Sequence, residues 1–176
     1  MKHTLTLLLA VGALSAAAST AAANCRTGDW YSTGIEDGSL GRPLNYIRGY
    51  FPSCHERGTR PNIRVWRQGR QDGLERYCSP QAAFELGQNG RGIAPVCERN
   101  TRRLTNANNR GLKWHGLNKS LKEYTRDWAR ANLKARNAKR RSNTSVQRRA
   151  ENEAELLFFE IEYIREVMAS LERPTR

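Results

Sequence analysis

From Trp114 onward the chain repeats apolar residues at steps of three and four. Trp114, Leu117, Leu121, Tyr124, Trp128, Ala131, Ala135 and Ala138 form one such run. Ser142-Asn143-Thr144-Ser145 breaks it, and Ala150, Ala154, Leu157, Ile161, Ile164, Met168 and Leu171 resume it. A seven-residue repeat leaves an apolar seam on a helix that another helix must cover. So short a break between two seams allows only a reversal, which predicts an antiparallel helical hairpin. Thr144 and Gln147 have capping-box spacing for the second helix, and Pro174 is positioned to end it. Counting outward from the turn pairs Ala138 with Ala150, Ala135 with Ala154, Trp128 with Ile161 and Leu121 with Met168. Small residues lie at the tip and large ones at the base. Leu156, Phe158 and Phe159, beside the seam, are expected to pack on the N-terminal half.

That half has a different composition. Residues 24–99 hold all four cysteines, five of the six prolines and most of the glycines, and their basic residues are all arginine. Residues 1–23 read as an export signal: a short polar start, an apolar run from Leu5 to Ala18, and Ala21-x-Ala23 as a cleavage site. Cys25 follows Asn24, a poor neighbour for lipid attachment, so it reads as a folding cysteine. In an oxidising compartment Cys25, Cys54, Cys78 and Cys97 imply two disulfides. Sequence does not choose among the three pairings, and the reading leans to Cys25 with Cys54 and Cys78 with Cys97. No metal-ligand spacing joins these cysteines to His55 or His115, so no metal and no cofactor is expected. The organisation expected is therefore a signal over 1–23, a cysteine-rich domain over 24–99 and a hairpin over 100–176. The fold class is mainly α, a small disulfide-stapled helical head followed by a long antiparallel hairpin.

The head contains a repeat. Tyr31-x-x-Gly34-x-x-Asp37-Gly38 and Trp66-x-x-Gly69-x-x-Asp72-Gly73 are two copies, and Phe84-x-x-Gly87-x-x-Gly90 is a degenerate third. On a helix Trp66, Gly69, Gly73 and Tyr77 share one face, where the glycines let another helix or a ring approach closely. A hairpin with Asp-Gly turns is the alternative, but Ile63, Val65, Trp66, Leu74 and Tyr77 do not alternate at period two. Pro61 stands near a helix start. Trp30, Tyr31, Asp37, Trp66, Asp72 and Tyr77 can be read as a ligand groove for glycans or peptides. The competing and favoured reading is that the aromatics fill a small core.

Cys25-x-x-x-Asp29-Trp30-x-x-x-Gly34-x-x-Asp37-Gly38-x-x-Gly41 resembles the opening of the domain-of-unknown-function family numbered 2799. Gly58-x-x-Pro61 followed by Trp66-x-x-Gly69-Arg70-x-x-Gly73-Leu74-x-x-Tyr77-Cys78 is similar to its second block. Gly87-x-x-Gly90 and Val96-Cys97 resemble its third. The resemblance covers residues 25–97. It implies an envelope location and no particular activity.

Charge is uneven. The formal net charge of the chain is +13. Residues 102–149 hold fifteen basic residues against two acids, whereas residues 151–172 hold seven acids and one arginine. The two arms are expected to neutralise each other in part. The excess gathers around the hairpin tip at Arg136, Lys139, Arg140, Arg141, Arg148 and Arg149. Outside the cytoplasm such a tip meets phosphates of lipid headgroups or envelope polymers, or acidic protein surfaces. Compartment and the lack of a recognised motif argue against nucleic acid. No catalytic constellation stands out. A cell-wall hydrolase using Asp37 or Asp72 is the enzymatic alternative, and self-association through the seam is a third.

Overall fold

The computed structural model describes residues 25, 28–99 and 101–172. The export signal expected over 1–23 and the Pro174 stop lie outside them. The described residues are mainly helical and contain no strand. The helices are α1 (Trp30–Ser39), α2 (Phe51–His55), α3 (Ile63–Tyr77), α4 (Pro80–Gln88), α5 (Thr101–Arg140) and α6 (Thr144–Glu172). A 3-10 segment, Leu44–Tyr50, precedes α2. The chain forms two compact units that divide between Arg76 and Tyr77. This differs from the boundary near residue 100 that composition suggests. The reason is local: the Cys78–Cys97 bridge and α4 pack with the first turns of α5 in one core.

In the first unit Asp29 starts α1 by accepting the Ser32 N–H at 3.1 Å, and Asn62 accepts the Val65 N–H at 3.2 Å at the start of α3. The Cys25–Cys54 bridge joins the segments ahead of these two helices. Trp30, Ile47 and Trp66 form the core around that bridge, with Tyr50 and Val65 against it. The two repeat copies cross each other directly. A Cβ on Gly34 would lie within 3 Å of the Trp66 carbonyl oxygen and the Arg70 nitrogen. A Cβ on Gly69 would meet the Tyr31 carbonyl as closely, and Ile35 nitrogen at 3.1 Å. Gly38 meets Arg70 and Leu74, while Gly73 meets Ile35 and Ser39. Each contact has its mirror in the other copy, and residue numbers rise together along both helices. The crossing is thus parallel and pseudo-two-fold, built on Gly-x-x-x-Gly in both helices. Only glycine lets two backbones approach this closely, as in small-residue helix contacts elsewhere.

The second unit uses the same device. Gly87 of α4 meets the Asn108 carbonyl and the Leu112 nitrogen, and Gly111 of α5 meets the Phe84 carbonyl and the Gln88 nitrogen. Asn108-x-x-Gly111 is therefore a fourth copy, with Asn108 in the place of the aromatic. The cysteine spacing repeats as well. Nine residues separate Cys25 from Gly34 and Cys78 from Gly87, and fifteen and fourteen separate Cys54 from Gly69 and Cys97 from Gly111. The chain thus contains two versions of one design, a bridged pair of parallel helices crossing at glycine. Ala83, Phe84, Leu104 and Ala107 form the second core. Buried Asn108 donates to the carbonyls of Ala83 and Arg91, both at 2.9 Å.

The hairpin grows out of this second crossing. Its first helix starts at Thr101, earlier than the apolar seam suggests, because its first turns face α4 and only later turns face α6. Ala131, Ala135 and Ala138 are buried on α5, and Ala150, Ala154, Ile161, Ile164 and Met168 on α6. Lys134 with Glu153 and the Trp114 indole with Glu172 span the arms in the expected antiparallel register.

Candidate functional site

The hairpin tip is set by backbone geometry. Ser142 adopts a left-handed conformation, φ 54°. The Asn143 N–H returns to the Ala138 carbonyl at 2.9 Å, and the Ser142 N–H to that of Lys139 at 3.0 Å. This closes α5 with its last carbonyls satisfied. Asn143 also begins α6: its side-chain oxygen accepts the Val146 N–H at 3.2 Å. Asn143, rather than Thr144, is therefore the helix cap. The side chain that satisfies the first free N–H groups sits one residue before the capping-box spacing. The reversal is short: Arg140 and Arg141 stand immediately before or at its start, and Arg148 and Arg149 lie in the first two turns of α6.

All six tip candidates, Arg136, Lys139, Arg140, Arg141, Arg148 and Arg149, are exposed. Among the described residues none of them forms an ion pair. Arg140 donates to the Asn137 side chain, a neutral partner. The arms neutralise each other less than their composition suggests. Lys134 with Glu153, at 3.9 Å, is the one ion pair between α5 and α6 among the described residues. The other two pairs, Arg130 with Asp127 and Arg165 with Glu162, lie within a helix. The acids of α6 are spread around its exposed circumference and largely miss the cations of α5.

The six groove candidates do not line one surface. Trp30, Asp37, Trp66 and Tyr77 are buried, whereas Tyr31 and Asp72 are exposed. Asp37 accepts the Trp66 indole N–H at 2.8 Å and the Tyr50 hydroxyl at 3.1 Å. Burial pushes its carboxyl above its ordinary value, against the opposing pull of the Trp66 and Tyr50 hydrogen bonds and the nearby Arg42 charge. Burial also raises the Tyr50 hydroxyl, and the Asp37 charge adds to the effect. Tyr31 donates to Asp72 at 2.5 Å across the glycine crossing. The Ala94 N–H donates to the Tyr77 hydroxyl at 2.8 Å. Both candidate acids have structural partners of their own: Asp37 holds the core ring donors, and Asp72 ties α3 to α1. Among the described residues no cluster of three or more His, Cys, Asp or Glu is placed to hold a metal ion.

Two features were not anticipated. Leu156, Phe158, Phe159 and Tyr163 are 68%, 47%, 61% and 64% exposed, so among the described residues the expected cover over the first three is absent. Leu156, Phe159 and Tyr163 follow one another at steps of three and four, on the face of α6 away from its buried seam. The spacing is present in the sequence, but it does not distinguish an exposed stripe from one that packs on the N-terminal half. The other feature is a cleft at the base of the hairpin, near Arg102, Arg103 and Lys113. The sequence carries no signal for it beyond the positive charge of residues 102–149.

Residues 29–113 match the model of the family described as protein of unknown function (DUF2799), in agreement with the resemblance seen in the sequence. The match takes in both glycine crossings and stops where the long hairpin continues alone. Neither the curated proteins nor the solved structures contain a match. Both disulfides are formed, and no helix among the described residues is long and apolar enough to cross a membrane.

Proposed function

We propose that this is a noncatalytic periplasmic or secreted interaction protein whose hairpin tip holds a phosphate-bearing envelope surface. The observation that carries the reading is the tip itself: six exposed cations on a rigid reversal, none paired with a carboxylate. Structural cations are commonly paired or spread, whereas these are gathered at one end of two long helices. The paired cysteines, the absence of a membrane-crossing helix among the described residues and the amino-terminal signal pattern support an envelope location. Within the second unit, the Gly87–Gly111 crossing and its Cys78–Cys97 bridge supply a stapled base from which the hairpin projects its charge.

The test is cosedimentation with vesicles containing anionic lipid, and in parallel with purified anionic envelope polymer. Near an anionic surface a basic residue contributes about 1 kcal/mol. Replacing all six by glutamine should therefore weaken binding by about 100-fold or more even if only half of them engage. Undiminished binding by that variant, with its helicity intact, would remove the tip from consideration. Binding only to an acidic protein would redirect the reading to a protein partner. The exposed stripe of Leu156, Phe159 and Tyr163 favours a second reading, self-association along α6. Light scattering decides it: a dimer that dissociates in Phe159→Glu supports this reading, and a monomer at all concentrations removes it.

A further inference from the structure

A cleft of about 1120 Å³ opens at the base of the hairpin, within the second unit. Its size suits a ligand of drug-like dimensions or larger, since such sites commonly span ~300–1,000 Å³. Its walls have two characters. Phe84, Ala107 and Leu171 give it an apolar floor, and the first two are almost fully buried. Arg102, Asn106, Asn109 and Lys113 line it from α5. Their spacing of four, three and four places them along one face of the helix. Arg103 adds a further cation.

The donors here are disposed toward an anion. Among the described residues Arg102, Arg103 and Lys113 form no ion pair and are exposed. Arg110 is already engaged: it donates to the Leu171 carbonyl, and its guanidinium lies 5.4 Å from the Phe84 ring centre. It therefore fixes the floor rather than the rim. Among the described residues the lining contains one carboxylate, Glu172, and its Oε1 accepts the Trp114 indole N–H at 2.9 Å. An excess of cationic donors above an apolar floor matches a molecule that has an oxyanion at one end and hydrocarbon at the other. Arginine forks fit phosphate oxygens in pairs, and the asparagine amides can serve the remaining oxygens.

We propose that this cleft binds a single amphiphile carrying a phosphate head, with the head on Arg102, Arg103 and Lys113 and the hydrocarbon over Phe84, Ala107 and Leu171. The site is separate from the hairpin tip. Roughly 40 Å of helix lies between Lys113 and Arg140. The protein would then hold an extended surface at one end and an individual amphiphile at the other.

The test uses the full chain and decyl phosphate, kept monomeric below its micellar concentration, with calorimetry as the readout. Saturable binding is expected, with inorganic phosphate and decanol each at least about tenfold weaker, since each satisfies one half of the site. Combined Arg102→Gln, Arg103→Gln and Lys113→Gln should cost about tenfold or more, while the six-residue tip variant should bind as the parent does. Slowed amide exchange on ligand addition should map to residues 101–113 and not to 136–149. The proposal is overturned if decyl phosphate does not bind, if decanol binds as tightly, if the triple variant is unchanged, or if the tip variant loses the site. A vesicle arm of phosphatidylcholine with phosphatidate identifies the source. A loss specific to the triple variant assigns the head to a membrane lipid, and its retention there assigns it to a free amphiphile.

Discussion

Asp37 sits in the first core with two neutral hydrogen-bond donors, the Trp66 indole and the Tyr50 hydroxyl. Because burial raises its pKa, the folded chain holds this proton more tightly than the unfolded chain does. The sign follows from linkage. The stabilising contribution is complete below the ordinary carboxylate range and is lost as pH rises through the raised value. In the difference between the parent and Asp37→Asn, the parent should therefore lose stability relative to the variant as pH climbs through that window. Above the window the difference should be flat. Denaturant unfolding at several pH values measures this, and a difference that grows in the opposite direction would mean that the carboxylate is stabilised as an anion. Asp37→Ala should cost about 1–3 kcal/mol below that window, because the Trp66 and Tyr50 donors lose their acceptor, and the cost should shrink as pH rises through it. The residue reads from sequence as a turn or groove acid. Its role was hidden because its partners are 13 and 29 residues away and both belong to the core.

At the scale of elements, the glycines decide which helices meet. Gly111 and Gly116 lie on the same helix, five residues apart, and their surroundings are opposite. A Cβ on Gly111 would press into the backbone of α4, whereas a Cβ on Gly116 would meet nothing within 4 Å. Alanine is favoured over glycine by about 1 kcal/mol in a helix interior. Gly116→Ala should therefore raise stability by up to that amount. Gly111→Ala should lower it by about 1–3 kcal/mol, because the helices must separate to admit the methyl group. Thermal unfolding of the two variants gives the signs, and a stabilised Gly111→Ala would mean that the crossing is loose. The aromatic-glycine repeat was legible in the sequence, and so were the hairpin seams. What the repeat did not reveal is that its first two copies pair with each other. Their contacts are made by backbone atoms, which carry no side-chain signature. The fourth copy was missed for a related reason: Asn108 replaces the aromatic, and the residues around it are polar. The same polarity concealed the true start of α5.

The whole molecule combines two stapled crossings with a long, unevenly charged hairpin. Opposite charges on its arms suggested a neutralising fit, and the bulk charge ratio supports that picture only until the helices are placed. With Lys134–Glu153 as the one pair between α5 and α6 among the described residues, the dominant long-range term is repulsion among the cations of α5 and the tip. Exposed ion pairs contribute ~0–1 kcal/mol each and do not offset a formal net charge of +13. The consequence is a salt dependence of definite sign. Moving from about 0.01 M to about 1 M sodium chloride shortens the screening length from ~30 Å to ~3 Å. If repulsion dominates, the unfolding temperature should rise by a few degrees over this range. If the arms attract each other more than the tip repels itself, it should fall. The six-residue glutamine variant separates the two cases further. It should begin at a higher unfolding temperature in low salt and gain less on salt addition, because part of the repulsion has already been removed. That result would tie stability to the same cations that the proposed function needs. The tip would then be held at a cost to the fold, which is expected of charge kept for binding rather than for structure.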